Sequence, residues 1–271
     1  MRRPVFEDRW FTTTDGVRLR VIESAGPATG ADAPVIAFVP GWSMPADLWM
    51  PQLRTFARTH RVAALDPRGQ GASEVPDAGY TIERRVADIT EFLEPYRSVV
   101  LVGWSLAALE VLHYTGIHGT ARLAGLVLVD SSVGEPPIPP SGDFRQRLEK
   151  DRPVALAAFV RAIFHAPQPE AELVRITAAA QRMSLEASLA LLSYPFPRTH
   201  WRTLAHAVDR PLLYVVTPQF AEQAGHLQRN RPGTQVEIFR DAGHALFVDR
   251  AERFNRVLAA FVKTLPAAGK Q

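Results

Sequence analysis

Four stretches of the sequence, PVIAFVPGW, RVAALDPRGQGAS, SVVLVGWS and LAGLVLVDSS, are short continuous apolar runs that each stop at glycine, proline, aspartate or serine. A strand with one wet face alternates polar and apolar residues. A run that is apolar at every position needs both faces covered, which is the condition inside a parallel sheet. Helical patterns such as DLWMPQLRTFART and TIERRVADITEFLEPY lie between the runs. Buried strands alternating with helices predict a parallel α/β sheet. Only RWFTTTDGVRLRVIES alternates, around Asp15-Gly16, and it predicts a hairpin.

The alternation stops after Ser132. A proline-rich exit, GEPPIPPSGD, leads into DFRQRLEKDRPVALAAFVRAIFHA, PEAELVRITAAAQRM, SLEASLALLSY and RTHWRTLAHAV, all helical in pattern. Strands resume with PLLYVVT and TQVEIFRDAGH, and a helix over AERFNRVLAAFVKTL closes the pattern. A chain of 271 residues, 46% of them hydrophobic, can bury one large core. The expected organisation is therefore a sheet domain formed by residues 1–132 and 210–271, interrupted by a helical cap over 133–209.

Charge and composition exclude several functions. The formal net charge is +3 with acids and bases interspersed, and no basic block interleaved with aromatics tracks a phosphate backbone, which argues against a nucleic-acid partner. The chain has no cysteine, so disulfides, thiolate metal sites and a cysteine nucleophile are out. The beginning, MRRPVFEDRWFTTTDG, carries charges where a signal peptide would carry an apolar run. No stretch approaches a membrane span. The expectation is a cytoplasmic protein that needs no membrane.

Chemistry collects at strand ends, where the ligands of parallel sheets bind. Ser105 lies in Gly-Trp-Ser-Leu-Ala, directly after one apolar run and before a helix. This is close to the G-x-S-x-G elbow that raises a nucleophile on a tight turn, with Ala107 adding one methyl at the second glycine. As a plain residue, Ser105 would cap the helix. His244, between a strand and the last helix, is the candidate base, because a serine hydroxyl needs a group poised near neutral pH within hydrogen-bond reach. The other histidines (His60, His113, His118, His165, His200, His206 and His226) show no metal-ligand spacing and read as surface or helix-face residues. No metal or other cofactor is expected.

Together the ordered segments VPGWSMPADLW, DPRGQGAS, GWSLA and DAGHALFVDRAERF resemble the α/β-hydrolase superfamily. The nearest likeness is to capped serine esterases, carbon–carbon bond hydrolases and carrier-methyl-ester esterases of bacteria. The resemblance covers essentially everything outside the helical insertion. It implies an α/β-hydrolase fold, a mostly parallel central sheet flanked by helices with an inserted helical cap. It also implies Ser105 as nucleophile, His244 as base, and an oxyanion hole from the backbone N–H groups of Trp42 and Leu106. Pro40 stands where the family often has histidine, and Asp66 matches a recurrent segment with a structural turn role.

The usual acid is missing. The superfamily's aspartate follows the strand after the cap, and here Thr217, Pro218, Gln219 and Phe220 fill that turn, in a loop that reads as shortened. One reading moves the acid to Asp130, at the end of the strand LAGLVLVD, as in haloalkane dehalogenases; Asp130 would otherwise simply cap the following loop. A second places it at Glu222. A third leaves a Ser–His dyad or a non-catalytic member. Asp241 and Asp249 read as poor candidates, the latter sitting where it would cap the last helix.

The resemblance and the residues together imply a serine hydrolase acting on a small-molecule ester with a mostly apolar acyl group. Carbon–carbon bond or lactone hydrolysis on the same triad, or a binding protein on the same fold, are the alternatives. Between Gly134 and Asp209 nine Lys and Arg stand against eight Asp and Glu, so the cap shows no dedicated clamp for an anionic substrate.

Overall fold

A computed structural model describes residues 4–26, 33–140 and 142–266. Arg2 and Arg3 of the beginning and Ser141 of the proline-rich exit lie outside the described residues.

The alternating stretch forms the hairpin, strands β1 (Glu7–Thr12) and β2 (Arg18–Ser24), with Gly16 at φ 87° in the turn. The apolar runs form β3 (Val35–Val39), β4 (Val62–Asp66), β5 (Val99–Trp104) and β6 (Leu123–Val129). The resumed pattern gives β7 (Leu212–Val216) and β8 (Gln235–Ile238). Between the early strands lie α1 (Met50–Phe56), preceded by a 3-10 turn over Ala46–Trp49, then α2 (Ile82–Leu93) and α3 (Leu106–His118).

The eight strands pair in the order β1-β2-β4-β3-β5-β6-β7-β8. β2 is antiparallel to both its neighbours, and every pairing from β4 through β8 is parallel. β3 and β5 are buried at every position, as their unbroken apolar runs require. Val100 and Val102 face one side of the sheet, with Leu53 of α1, and Val99 and Leu101 face the other, with Ile89 of α2 and Val111 of α3. This two-residue alternation gives each face its own core.

From β3 the chain pairs β4 on one side, then returns to place β5 on the other. The carboxyl ends of β3 and β5 therefore flank the point where strand order reverses, the place where open α/β sheets hold their ligands.

Among the described residues five helices separate β6 from β7: α4 (Phe144–Lys150), α5 (Arg152–Ala162), α6 (Glu170–Ala180), α7 (Leu185–Leu191) and α8 (Arg198–Ala207). The first helical pattern is in fact two helices. Asp151, at φ −154°, breaks it and caps α5 by accepting from the Val154 N–H, and Pro153 then fits the first turn.

The stretch after β7 is also more ordered than its sequence suggests. It is a 3-10 turn, Pro218–Phe220, leading directly into α9 (Ala221–Asn230), rather than a shortened loop. α10 (Leu246–Asp249) and α11 (Ala251–Thr264) follow β8. Among the described residues no helix is long and apolar enough to cross a membrane.

Candidate active site

Ser105 occupies the corner between β5 and α3 with φ 56° and ψ −119°, a conformation that a non-glycine residue rarely adopts. Such strain costs on the order of 1–3 kcal/mol and persists only where the surroundings impose it. Here the imposing contacts are close. A Cβ on Gly103 would fall 2.6 Å from the Ala107 carbonyl oxygen, and one on Gly41 would fall 2.9 Å from the Ser105 Cβ. Glycine at both positions lets strand, helix and the loop after β3 meet at the serine. Ala107 is fully buried, so its extra methyl is accommodated.

The parallel register carries the corner sideways across the sheet. Trp104, Val129 and Val215 lie in one row of paired residues. The Ser105 N–H donates to Val129 O at 2.8 Å, and the Asp130 N–H donates to Val215 O at 2.8 Å. Ser105, Asp130 and the residues after Val216 thus end three adjacent strands.

His244, in the loop after β8, spans them. Its Nε2 lies 2.8 Å from Ser105 Oγ and its Nδ1 lies 2.7 Å from Asp130 Oδ2. The imidazole is 26% exposed, while the Asp130 side chain is 1% exposed. A buried carboxylate, a half-open imidazole and a partly exposed hydroxyl in one hydrogen-bonded line can carry a proton away from the hydroxyl as it attacks an electrophile.

The residues Leu106 and Trp42 border the same corner. Leu106 is the first residue of α3, where amides lack an intrahelical acceptor and the helix dipole favours negative charge. Trp42 follows Gly41, whose close approach to Ser105 brings the loop alongside. Gln70, fully buried, pins that loop by donating to Gly41 O at 2.9 Å and Met44 O at 2.8 Å.

With this geometry in hand, the sequence itself matches the alpha/beta hydrolase family over residues 36–257. The chain belongs to that family. Among curated relatives, the non-heme chloroperoxidase CPO-A1 of Kitasatospora aureofaciens is 33% identical over 123 residues, 44% of this chain and 42% of that protein. Among solved structures, the esterase EaEST of Exiguobacterium antarcticum superposes with TM-score 0.81 at 20% identity, covering 95% of this chain and 100% of that one. The enol-lactonase of Burkholderia xenovorans LB400 superposes with TM-score 0.78 at 20% identity, covering 94% and 100%. The relatives share a hydrolase scaffold and differ in chemistry.

In this alpha/beta hydrolase the turn after β7 holds no carboxylate, yet it is not idle. The Thr217 N–H and hydroxyl both donate to Asp130 Oδ1, at 2.6 and 2.8 Å, leaving Oδ2 for the imidazole. Glu222 lies exposed in the first turn of α9 and is not brought to His244. Asp241 pairs with Arg250 on the surface. Asp249 does not cap α11; its carboxylate accepts from the N–H groups of Gly243, His165 and Ala166. Asp66 is buried and accepts from the Ala46 and Ala72 amides, tying two loops together.

Three supporting residues escape sequence reading. Thr217 sits in the very turn where a carboxylate is absent. Trp104 donates through Nε1 to the His244 carbonyl at 2.9 Å, and its ring lies 5.3 Å from the imidazole centroid. Tyr214 donates to Ser131 O at 2.5 Å, just past Asp130, and burial pushes its hydroxyl well above the usual phenol range, so it stays a neutral donor. Of the other histidines, His113 is buried rather than superficial, 3.1 Å from His200.

The helices after β6 pack aromatic side chains onto the loop after β3. The Trp42 indole meets Phe144 of α4 and Phe159 of α5 edge-on, both with centroids at 5.4 Å, and its Nε1 donates to Ser188 O of α7 at 2.9 Å. Edge-to-face pairs of this kind contribute about 0.5–1.5 kcal/mol each beyond the area they bury.

Proposed function

We propose that this alpha/beta hydrolase is a serine esterase that cleaves a carboxylic ester with a mostly apolar acyl group. The observation that carries the reading is the unbroken line Ser105 Oγ, His244 and Asp130, with contacts of 2.8 and 2.7 Å. In this reading the Ser105 hydroxyl attacks the ester carbonyl while His244 Nε2 takes its proton. Asp130 holds the Nδ1–H tautomer and balances the imidazolium charge. The Trp42 and Leu106 amides receive the oxyanion as the tetrahedral intermediate forms. His244 returns the proton to the departing alkoxide, leaving an acyl-serine and an alcohol. Water, deprotonated by His244, then attacks the acyl-serine to release the acid and restore the hydroxyl.

Residues 133–209 act as the cap in this proposal, with Phe144 and Phe159 packed edge-on against the Trp42 indole of the core. Their apolar character supports an acyl chain rather than an anionic group as the part enclosed. A serine rather than an aspartate at position 105 argues against the carboxylate-nucleophile chemistries of this fold. The relatives named above support hydrolysis generally, and an enol-lactonase among the structural neighbours makes a lactone the competing substrate.

The test is labelling by a fluorophosphonate probe, with peptide mapping of the adduct, alongside hydrolysis of p-nitrophenyl butyrate and a panel of lactones. An adduct on Ser105 with butyrate turnover supports the reading. Absence of any Ser105 adduct in folded protein sinks it, and lactone turnover far above ester turnover replaces the substrate class.

A further inference from the structure

The loop that carries His244 is fastened to the helices above it through one carboxylate. Asp249, last residue of α10, accepts from the Gly243 N–H at 2.8 Å and from the His165 N–H at 2.8 Å on Oδ2, and from the Ala166 N–H at 3.0 Å on Oδ1. Gly243 immediately precedes His244. His165 and Ala166 lie just past the end of α5, in the helical excursion. On the other side of the imidazole, the Ala245 N–H donates to Ile163 O at 2.7 Å. The two segments touch main chain to main chain: a Cβ on Gly243 would fall 2.7 Å from Ile163 O and 2.8 Å from the His165 nitrogen.

Each N–H gathered by Asp249 lies outside any helix or ladder, and an ionised carboxylate is the strongest acceptor a side chain offers to backbone N–H groups. A capping role would have spent those oxygens on α11, whose start has no side-chain cap. We propose that Asp249 is a positioning residue that clamps the base loop to the cap, so that His244 is aimed at Ser105 only while the cap is seated. This rests on the reading of Ser105, His244 and Asp130 as a catalytic triad. The consequence is that cap and base form one unit, and the cap orients the base as well as enclosing substrate.

The test compares wild type, Asp249→Asn and Asp249→Ala in the full chain by two readouts. The first is turnover of p-nitrophenyl butyrate per Ser105 titrated with fluorophosphonate, which removes unfolded protein from the comparison. The second is hydrogen exchange of the segments 159–167 and 239–246. Asp249→Ala should lower kcat per titrated site roughly 10- to 100-fold, the cost of misplacing a reacting group by about 1 Å, with little change in KM. Exchange should rise in both segments together, and Asp249→Asn, which keeps one acceptor oxygen, should fall between.

A lower titrated fraction with unchanged kcat per site means a merely structural staple and overturns the proposal. Exchange that stays slow around 239–246 in Asp249→Ala overturns it as well, even for a protein in which Ser105 takes no label. A wild type without label overturns the triad reading instead, so the two failures are told apart.

Discussion

Thr217 donates twice to Asp130, through its amide at 2.6 Å and its hydroxyl at 2.8 Å, on the oxygen that faces away from His244. The strand end that lacks a carboxylate thus supplies the donors that hold the neighbouring strand's carboxylate. An acid at the end of β6 needs such support, because Asp130 is 1% exposed and sits at φ 44°, where only surrounding contacts fix it.

Ser105→Ala should abolish p-nitrophenyl butyrate hydrolysis and fluorophosphonate labelling while leaving thermal unfolding near that of wild type. By the scale of other triad knockouts the loss in kcat is roughly 10³-fold or more. Removing the strained side chain's hydroxyl costs little packing. Turnover within a few-fold of wild type in the purified variant would exclude Ser105 as nucleophile.

Asp130→Asn should lower kcat by roughly 10²- to 10⁴-fold, since an amide can favour the wrong imidazole tautomer and cannot balance imidazolium. Glu222→Gln, exposed on α9, should change kcat little. Steady-state kinetics on the two single variants decides the matter. Collapse of Glu222→Gln with an active Asp130→Asn would move the acid to α9, and activity in both would leave a Ser–His dyad.

Much of this arrangement was legible because it depends on local pattern. Fully apolar runs announced β3 to β6, the Asp15-Gly16 turn announced the hairpin, and the small residues around Ser105 announced the elbow. α9 was not legible, because Gly225 interrupts it and only Gln223, Ala224 and Leu227 of its residues are buried, a stripe too thin to read as a helix. The division of α4 from α5 turned on Asp151 adopting an extended backbone, which its sequence neighbours do not dictate. Thr217, Trp104 and Asp249 act through partners 87, 140 and as many as 84 positions away, and no spacing in the chain records such contacts.

Asp15 should couple stability to acid pH. Hydrogen bonds from the buried Arg68 guanidinium, at 3.0 Å to each carboxylate oxygen, lower its pKa from 3.8 to about 2 despite partial burial. A carboxyl whose folded pKa lies below its unfolded value contributes stability above the unfolded pKa and loses it as pH falls through the folded one. Asp15→Asn should therefore unfold at lower urea than wild type at pH 6, with the gap closing between about pH 4 and pH 2. Because the Asp15 side chain is 37% exposed, solvent screening limits the difference to about 1 kcal/mol at most. A gap that persists unchanged at pH 2 would assign the effect to the turn rather than to the charge.

Glu110 should matter far more to stability than to chemistry. It is fully buried on α3 and accepts from Arg85 of α2 at 2.8 and 3.1 Å and from the Tyr194 hydroxyl at 2.7 Å. Glu110→Gln removes the carboxylate to which the buried Arg85 guanidinium is hydrogen-bonded, a change that costs about 3–5 kcal/mol where such pairs are broken. Chemical denaturation at neutral pH reads this directly. A loss below about 1 kcal/mol, the range of exposed pairs, would mean that water reaches the pair.

Thr217 offers the finest test of Asp130 as the proposed acid. Thr217→Val keeps the branched shape and the amide donor and deletes only the hydroxyl, so the Asp130 oxygen turned away from His244 loses one of its two partners. A hydrogen bond to a charged group contributes about 1.5–3 kcal/mol, and the remaining amide recovers part of that, so kcat should fall roughly tenfold. KM should hold, because the hydrogen bonds of Thr217 run to Asp130 and not to a group proposed to bind the acyl chain. Thr217→Ser restores a hydroxyl at the same place and should return most of the lost kcat, while Thr217→Ala should match Thr217→Val. Packing loss would order the variants differently: Val, which fills the space, would resemble wild type, and Ser and Ala would both be impaired. The order of kcat among the three variants therefore separates a hydrogen bond that holds the carboxylate from a side chain that merely fills the end of β7.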